Sequence, residues 1–583
     1  MTALAGAAGP VITLAGFGFR HVAAARPALE DVTLSIAAGE YVGVLGATGA
    51  GVSSLLAALN GVVPQLVRGS ARGSVRVLGR EPGHVPVREW ARDVGLVFDD
   101  PELASTQSSV ADEVAFGLEN LGVAPPEMDA RIEAALASVG LLGLEARAPS
   151  TLSGGELQRL AIACALATGP SVLVLDEPSA NLDPAGRRAV YAVLRRLNRE
   201  RGVTVLVADQ DVEAIAKDAT RVVVLAEGRV VADGDPDAVL GHPARLAAHG
   251  VRSTEAAALA EALGVPAPVP TAIDGVAGLL APRSGGVPRS AEPGLGGAAP
   301  AVSLRDVSFR YPRMDRLAVS GVSLDVAPGE VVGIVGANGS GKSTVGRLVN
   351  GLVRPSAGRV TVDGLDTARH PVQVLAAHVG SVFQDPGHQL FAGTVADELA
   401  LGPRALGRAE AAVAERVRAV AEALELDGLM DRHPLHLGRA QRKLVALGAV
   451  LAMEPRVLVL DEPTTGADRR LTDILESQAR TAAEAGLAVL VASHDMAFLG
   501  RVAGRLVVLD GGRVVADAPT RDVFADASLM AVAGIEPPAV MRVALRAVGR
   551  GPMPWPPVTR EEAAAVLARR GAEAPAPRGD GVA

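Results

Sequence analysis

The feature that most limits the fold is a duplication. The segments "VLGATGAGVSSLLAALNG", from Val44, and "VGANGSGKSTVGRLVNG", from Val335, are two versions of one stretch. Gly46 and Gly336 stand 290 residues apart, and the same offset links Val52 to Lys342 and His21 to Tyr311. Further on, Asp176 in "SVLVLDEPS" and Asp461 in "RVLVLDEPT" stand 285 apart. A period this long marks a duplicated domain rather than a solenoid unit.

Each copy reads as an α/β domain. The apolar runs "EYVGVLG" and "EVVGIVG", "SVLVLD" and "RVLVLD", "VTVLVAD" and "LAVLVAS" match in pairs and have the length and content of buried parallel strands. Helical segments separate them. "RVVVLAEGRVVADG" and "RLVVLDGGRVVADA" each read as a hairpin. The division expected is a first α/β domain over 1–245, a helical tail over 246–280 and a flexible Gly/Pro linker over 281–300. A second α/β domain over 301–525 and a second helical tail over 526–583 follow. Thr559 with Glu562 three residues on is a capping-box pattern in that last tail.

Composition excludes several classes. The 583 residues carry a net charge of -9 and only 2% aromatics, with no basic stripe, so nucleic acid is not an expected partner. No apolar run approaches the ~18 to 20 residues of a membrane helix. The start, "MTALAGAAGPVITLAG", lacks the basic opening of a secretion signal. A lone cysteine, Cys164, excludes structural disulfides within the chain and cysteine-rich zinc sites. These readings lead to the expectation of a soluble cytoplasmic protein.

The chemistry lies in the Gly-rich turns. A strand, a glycine turn and a helix set backbone N–H groups around a phosphate. In the second copy Gly336, Ala337, Asn338, Gly339, Ser340, Gly341, Lys342, Ser343 and Thr344 complete the pattern. Lys342 is placed to reach β- and γ-phosphates and Ser343 to ligate Mg²⁺. Asp461, at a strand end, is the candidate Mg²⁺ partner, and Glu462 the group that polarises the attacking water. The first copy keeps Gly46, Gly49, Gly51, Ser53 and Ser54, with Asp176 and Glu177 at its strand end, but has Val52 where lysine belongs.

"TLSGGELQRLAIACAL", whose Ser153 precedes Asp176 by 23 residues, resembles the signature of ATP-binding-cassette ATPases. The resemblance covers both repeats and implies two tandem P-loop cassettes, each with a RecA-like α/β core, a helical signature subdomain and a small helical tail. It implies ATP and Mg²⁺ as ligands, Mg²⁺ being held by Ser343, Gln384 and Asp461. The family pairs its cassettes head to tail, so each ATP lies between one phosphate loop and the other cassette's signature. By that resemblance Tyr311 in "FRYP" stacks on adenine, Gln384 in "VFQDP" is the Gln-loop residue and His494 in "VASHD" the switch histidine. The signature residues are Ser153, Gly154, Gly155 and Glu156.

Substitutions against this pattern are not scattered. The first copy has His21 for the aromatic, Val52 for lysine, Asp99 for the Gln and Gln210 for the His, yet keeps its signature. The second copy keeps all four, but Gly438, Arg439 and Ala440 stand where Ser-Gly-Gly belongs. Head-to-tail pairing gathers every loss into one composite site and leaves the other whole. An ATPase with one competent site is the expectation.

Among fused double cassettes, the chain resembles the energy-coupling-factor ATPases that power vitamin and transition-metal importers. The features are "FRYP", "VFQDPGHQLFAGTVADELALG" with its counterpart "VFDDPELASTQSSVADEVAFG", and the duplicated tails. That resemblance implies a transmembrane scaffold subunit and a small substrate-capturing membrane subunit as partners. The chain would then sit on the inner face of the membrane, docking the scaffold near residues 99–116 and 384–402. Two alternatives stand beside it. A fused sugar-importer ATPase usually damages the C-terminal phosphate loop, and a soluble double-cassette translation factor usually keeps two whole sites and a charged helical linker.

Overall fold

Runs of Val and Leu become strands without an exposed face, which is what a parallel sheet covered by helices requires. The computed structural model describes residues 9–22, 24–98, 105–180, 182–282, 299–312, 316–549 and 556–569. Linker residues 283–298 and the candidate Asp99 lie outside them. The strands of the first half are β1 (Ile12–His21), β2 (Leu29–Ile36), β3 (Tyr41–Gly46), β4 (Gly69–Val77), β5 (Val94–Val97), β6 (Val172–Asp176), β7 (Thr204–Ala208), β8 (Arg221–Ala226) and β9 (Arg229–Gly234), and β10 (Leu280–Pro282) follows in its tail. Those of the second half are β11 (Val302–Phe309), β12 (Val319–Val326), β13 (Val331–Val335), β14 (Ala357–Val362), β15 (Leu365–Asp366), β16 (Val379–Val382), β17 (Val457–Asp461), β18 (Ala488–Ala492), β19 (Arg505–Asp510) and β20 (Arg513–Pro519), with β21 (Leu567–Arg569) in its tail.

The halves repeat one topology. The six-stranded sheets run β5-β6-β7-β3-β8-β9 and β16-β17-β18-β13-β19-β20, parallel except for the closing hairpins. A smaller antiparallel sheet lies beside each, ordered β2-β1-β4 and β12-β11-β14-β15. Each main sheet is buried on both faces by apolar clusters, so the strand identities are dictated by burial more than by propensity. In each half the phosphate loop, the Asp-Glu pair and the switch residue leave the carboxyl ends of three adjacent strands. That edge is where open α/β sheets bind ligands.

The tails do not sit apart on their own halves. β10 pairs antiparallel with β21, Leu280 opposite Arg569. One apolar cluster takes Leu259, Val276 and Leu280 from the first tail and Val540, Val543 and Leu567 from the second. Residues 281 and 282, at the start of the expected linker, belong to β10, because a partner strand 285 residues away supplies their hydrogen bonds. Each tail also crosses to the opposite cassette: Glu255 pairs with Arg501 at 3.3 Å and Glu536 with Arg188 at 3.1 Å. Among the described residues no helix is long and apolar enough to cross a membrane.

Candidate functional site

In the second half β13 ends at Val335 and the helix Lys342–Val349 starts seven residues on. The turn between needs glycine. Gly336, Gly339 and Gly341 have φ of 151°, 77° and 107°. A Cβ on Gly336 would lie 2.2 Å from the Leu509 carbonyl, and one on Gly341 2.6 Å from that of Ala318. Lys342, buried at the helix start, donates to the Gly336 carbonyl at 2.7 Å and the Ala337 carbonyl at 3.2 Å. Its Nζ is 3.1 Å from His494 Nε2, which also lies 3.2 Å from Asn338 Oδ1. Ser343 Oγ donates to Asp461 Oδ1 at 3.1 Å. Tyr311 stands edge-on to Phe309, its hydroxyl 3.3 Å from Thr344 Oγ1.

A cavity of about 210 Å³ lies among Tyr311, Lys342, Ser343, Gln384, Glu462 and His494. Leu182 of the first half also lines it. Glu462 sits at φ 46°, a left-handed conformation that residues other than glycine seldom adopt. Its Oε2 accepts the His494 backbone N–H at 3.3 Å. Its Oε1 is 3.3 Å from His494 Nε2 without hydrogen-bond geometry, and so is buried with no donor. Ser340 Oγ and His494 Nδ1 are likewise buried without partners.

Burial dominates the electrostatics. It raises the Glu462 carboxyl to about 7, against the pull of Lys342. It raises Asp461 as well, and it lowers Lys342. Burial, then the Lys342 charge, holds His494 down to about 3, so its imidazole is neutral at physiological pH. The oxygen set of Ser343, Asp461 and Gln384 suits a hard cation such as Mg²⁺, the orphaned polar atoms invite further hydrogen bonds, and a glycine turn at a helix start is a place where backbone amides receive an anion.

The first half builds the same loop from different parts. Gly49 and Gly51 have φ of 84° and 100°, and a Cβ on Gly51 would lie 2.1 Å from the Ala28 carbonyl. Val52 packs beneath Gly46, its Cγ2 2.8 Å from where a Cβ would be, and Gln210 Nε2 donates to the Gly46 carbonyl at 3.4 Å. Ser53 is exposed. The His21 ring stands edge-on to Phe19 with Nε2 3.1 Å from Ser54 Oγ, the pose Tyr311 holds opposite Thr344. A ring is therefore retained there. Asp176 ends β6, and Glu177 repeats the left-handed φ of 46°.

The halves meet loop to loop. Thr48 N–H donates to Asp468 Oδ2 at 3.0 Å, and Asn338 N–H to Asp183 Oδ2 at 3.3 Å. Gly438 abuts the first phosphate loop, its Cβ position 3.1 Å from Thr48 Cγ2. Arg439 and Glu177 flank Gly466: the Cβ position there is 3.9 Å from Arg439 Cδ and 3.0 Å from Glu177 Oε2. Ala440 is buried in the helix Arg439–Ala452. Ser153 caps the helix Gly154–Ala167 through a capping box. Its amide and hydroxyl both donate to Glu156 Oε2 at 2.7 Å, and Gly154 and Gly155 form the first turn. These four residues do not line the cavity beside Lys342; Leu182 and Asp183 are the first-half residues that reach that loop.

Three participants escaped the sequence reading. Asp183 and Asp468 each follow the strand-end Asp by seven residues, and that matched spacing was the available signal. Lys443 is the third. It lies in the second copy's altered signature stretch, five residues after Gly438, and stands out only against its counterpart, Gln158.

The ABC transporter family model matches residues 29–180 and 319–465. A protein of Caldanaerobacter subterraneus subsp. tengcongensis, provisionally named an ABC transporter ATP-binding protein, is 33% identical over 89% of this chain and 93% of its own length. A Streptomyces avermitilis protein with the same provisional name is 36% identical over 86% of this chain and 92% of its own length. Among solved structures, cbiO1 of Clostridium perfringens, described as part of the ABC transporter complex cbiONQ, is 31% identical. It covers 40% of this chain and 93% of its own, with a TM-score of 0.36.

Proposed function

This chain belongs to the ABC transporter family as an ATPase with two fused cassettes, and we propose that it powers an energy-coupling-factor-type importer of vitamins or transition metals through one working composite site. The observation that carries the reading is the gathering of Lys342, Ser343, Glu462 and His494 around one cavity, with Asp461 bonded to Ser343, Leu182 of the other half in the lining and Asp183 of that half on the Asn338 amide. The matching place in the first half holds Val52 and Gln210, neither of them a cation or an acid.

ATP is the substrate of that site. Lys342 exchanges the carbonyls of Gly336 and Ala337 for phosphate oxygens, and the loop amides and the Ser153 helix terminus add donors. Ser343, Asp461 and Gln384 would hold Mg²⁺, which would supply positive charge to the phosphates. Glu462 takes the proton of the attacking water through the oxygen that now lacks a donor, and neutral His494 orients it. The first composite site lacks the cation, and Arg439 faces it from the opposite half. Losing one preorganised phosphate contact costs about 10² to 10³ in rate, so several losses leave that site without useful turnover.

Docking to a membrane scaffold draws support from exposed apolar groups beside the Gln loops. Phe391 is 78% exposed, and Leu401, Phe98 and Phe116 are about half exposed. The Phe391 loop is anchored, and so is the segment before the matching helix of the first half. Buried Glu398 accepts the amides of Phe391 and Ala392, both at 2.7 Å, and Glu113 accepts those of Thr106 and Gln107. The test is sedimentation with membranes that carry the polytopic partner. The chain should pellet with them, and Phe391→Asp with Leu401→Asp should release it. A chain that sediments with ribosomes and ignores such membranes would overturn the importer reading in favour of the translation factor.

A further inference from the structure

One buried cation takes no part in the scheme above. Lys443 lies one turn into the helix Arg439–Ala452 and is 2% exposed. Its Nζ donates to the carbonyls of Glu462 at 3.0 Å, Pro463 at 3.0 Å and Thr465 at 2.7 Å. All three of its N–H bonds are spent on the segment that follows β17. Burying an ammonium is expensive, and the carbonyls are its compensation. Burial still pulls its amine down to about 7.

That segment does two jobs. It begins with Glu462 in its left-handed conformation, which persists only where neighbours enforce it. It ends at Asp468, whose carboxylate crosses to the Thr48 amide of the first half. The helix that carries Lys443 begins at Gly438, against the same Thr48. The first half offers a natural control. Gln158 holds the matching place, equally 2% exposed, yet its Nε2 is buried without a partner. Lysine is present only in the half whose glutamate faces a competent loop.

We propose that Lys443 is a positioning residue for hydrolysis: by clamping the carbonyls of residues 462–465 it holds Glu462 in its working pose and ties that pose to the Asp468 contact with the first half. The inference rests on Glu462 being the group that activates water. Lys443 is spent on three backbone carbonyls and does not line the cavity beside Lys342, so its loss should touch turnover and spare binding.

The test measures kcat, ATP affinity and melting temperature for the full chain with Lys443→Gln, Lys443→Met, Asp468→Ala, Lys443→Gln combined with Asp468→Ala, and Glu462→Gln. Lys443→Gln installs the residue with which the first half already folds, so it guards against a mere folding defect. A misplacement of about 1 Å at a reacting group costs on the order of 10². The expected result is a fall in kcat of roughly 10- to 100-fold for Lys443→Met and less for Lys443→Gln, with ATP affinity within about twofold of the parent. The double variant should be no slower than the worse of its single variants, because both act through one segment. Wild-type kcat in Lys443→Gln and Lys443→Met, or kcat and affinity falling together, would overturn the proposal. If Glu462→Gln itself retains turnover, the catalytic assignment fails first; if it loses turnover while both Lys443 variants keep theirs, only the role of Lys443 fails.

Discussion

The two phosphate loops close the same turn around one carbonyl and use opposite chemistry to do it. The Gly336 carbonyl accepts from the Lys342 ammonium at 2.7 Å, and the Gly46 carbonyl accepts from the Gln210 amide at 3.4 Å. Lys342 and Gln210 come from different elements. Gln210 occupies the switch position, where the second half has His494. The change from His to Gln thus restores a donor that the change from Lys to Val removed. Shape and charge are separable in this fold: glycines and one donor keep the loop closed, whether or not that donor carries a charge. The first half keeps the glycine turn and the strand-end carboxylates and has no lysine in its loop.

The sharpest way to break this comparison is to remove the same carboxylate from each half. Glu462→Gln should lower steady-state hydrolysis by about 10² to 10⁴, and Glu177→Gln should change it far less. Rates of the two single variants measure this, and equal losses would end the asymmetric assignment.

The next effect tests whether one site draws on both halves. Ser153→Arg should disable single-turnover hydrolysis nearly as fully as Lys342→Ala, each by at least about 10². The double variant should be no worse than either, since residues that act as a unit are non-additive. Multiplicative losses would assign Ser153 and Lys342 to different sites. The outcome matters because Ser153 donates to Glu156 and does not line the cavity, so engaging phosphate requires it to change partners.

A smaller effect follows from restoring what the first loop lacks. Val52→Lys should leave hydrolysis within about twofold of the parent, because Gly438, Arg439 and Ala440 still stand in place of the signature Ser-Gly-Gly. A clear second turnover phase in Glu462→Gln combined with Val52→Lys would show that lysine alone was missing.

The smallest effect concerns the clamp between the tails and the first cassette. Glu213 accepts the Glu255 N–H at 2.8 Å, and burial, reinforced by the Glu255 and Asp211 charges, raises its carboxyl to about 7. Between its ordinary value of 4.5 and about 7 the folded state keeps a proton that the unfolded chain releases. Stability from this group therefore falls as pH rises through that window, and the loss is complete above it. Glu213→Gln should flatten that part of the melting profile, by no more than about 2–4 °C. An unchanged profile would remove Glu213 from the account.

Much of the molecule was legible in the chain itself. The fixed 290- and 285-residue offsets announce two copies of one fold, because a repeat constrains every matched position at once. The strands were readable because a parallel sheet covered on both faces admits only unbroken apolar runs. That Lys342, Ser343, Asp461 and Glu462 come together was readable because the glycine-turn pattern and the strand-end acids place them at the carboxyl ends of neighbouring strands. What escaped depends on residues hundreds of positions apart. Asp183 and Asp468 are ordinary helix caps until the other half supplies an amide for the second carboxylate oxygen. Lys443 looks like a basic residue on a helix until the chain buries it against three carbonyls. The tails read as accessories, and only pairing β10 with β21 makes them a joint between the halves. Local spacing determines which groups are chemically competent. The tertiary structure decides which competent groups share a site, because hydrogen bonds and burial act over a few ångströms of space, whatever the separation along the chain.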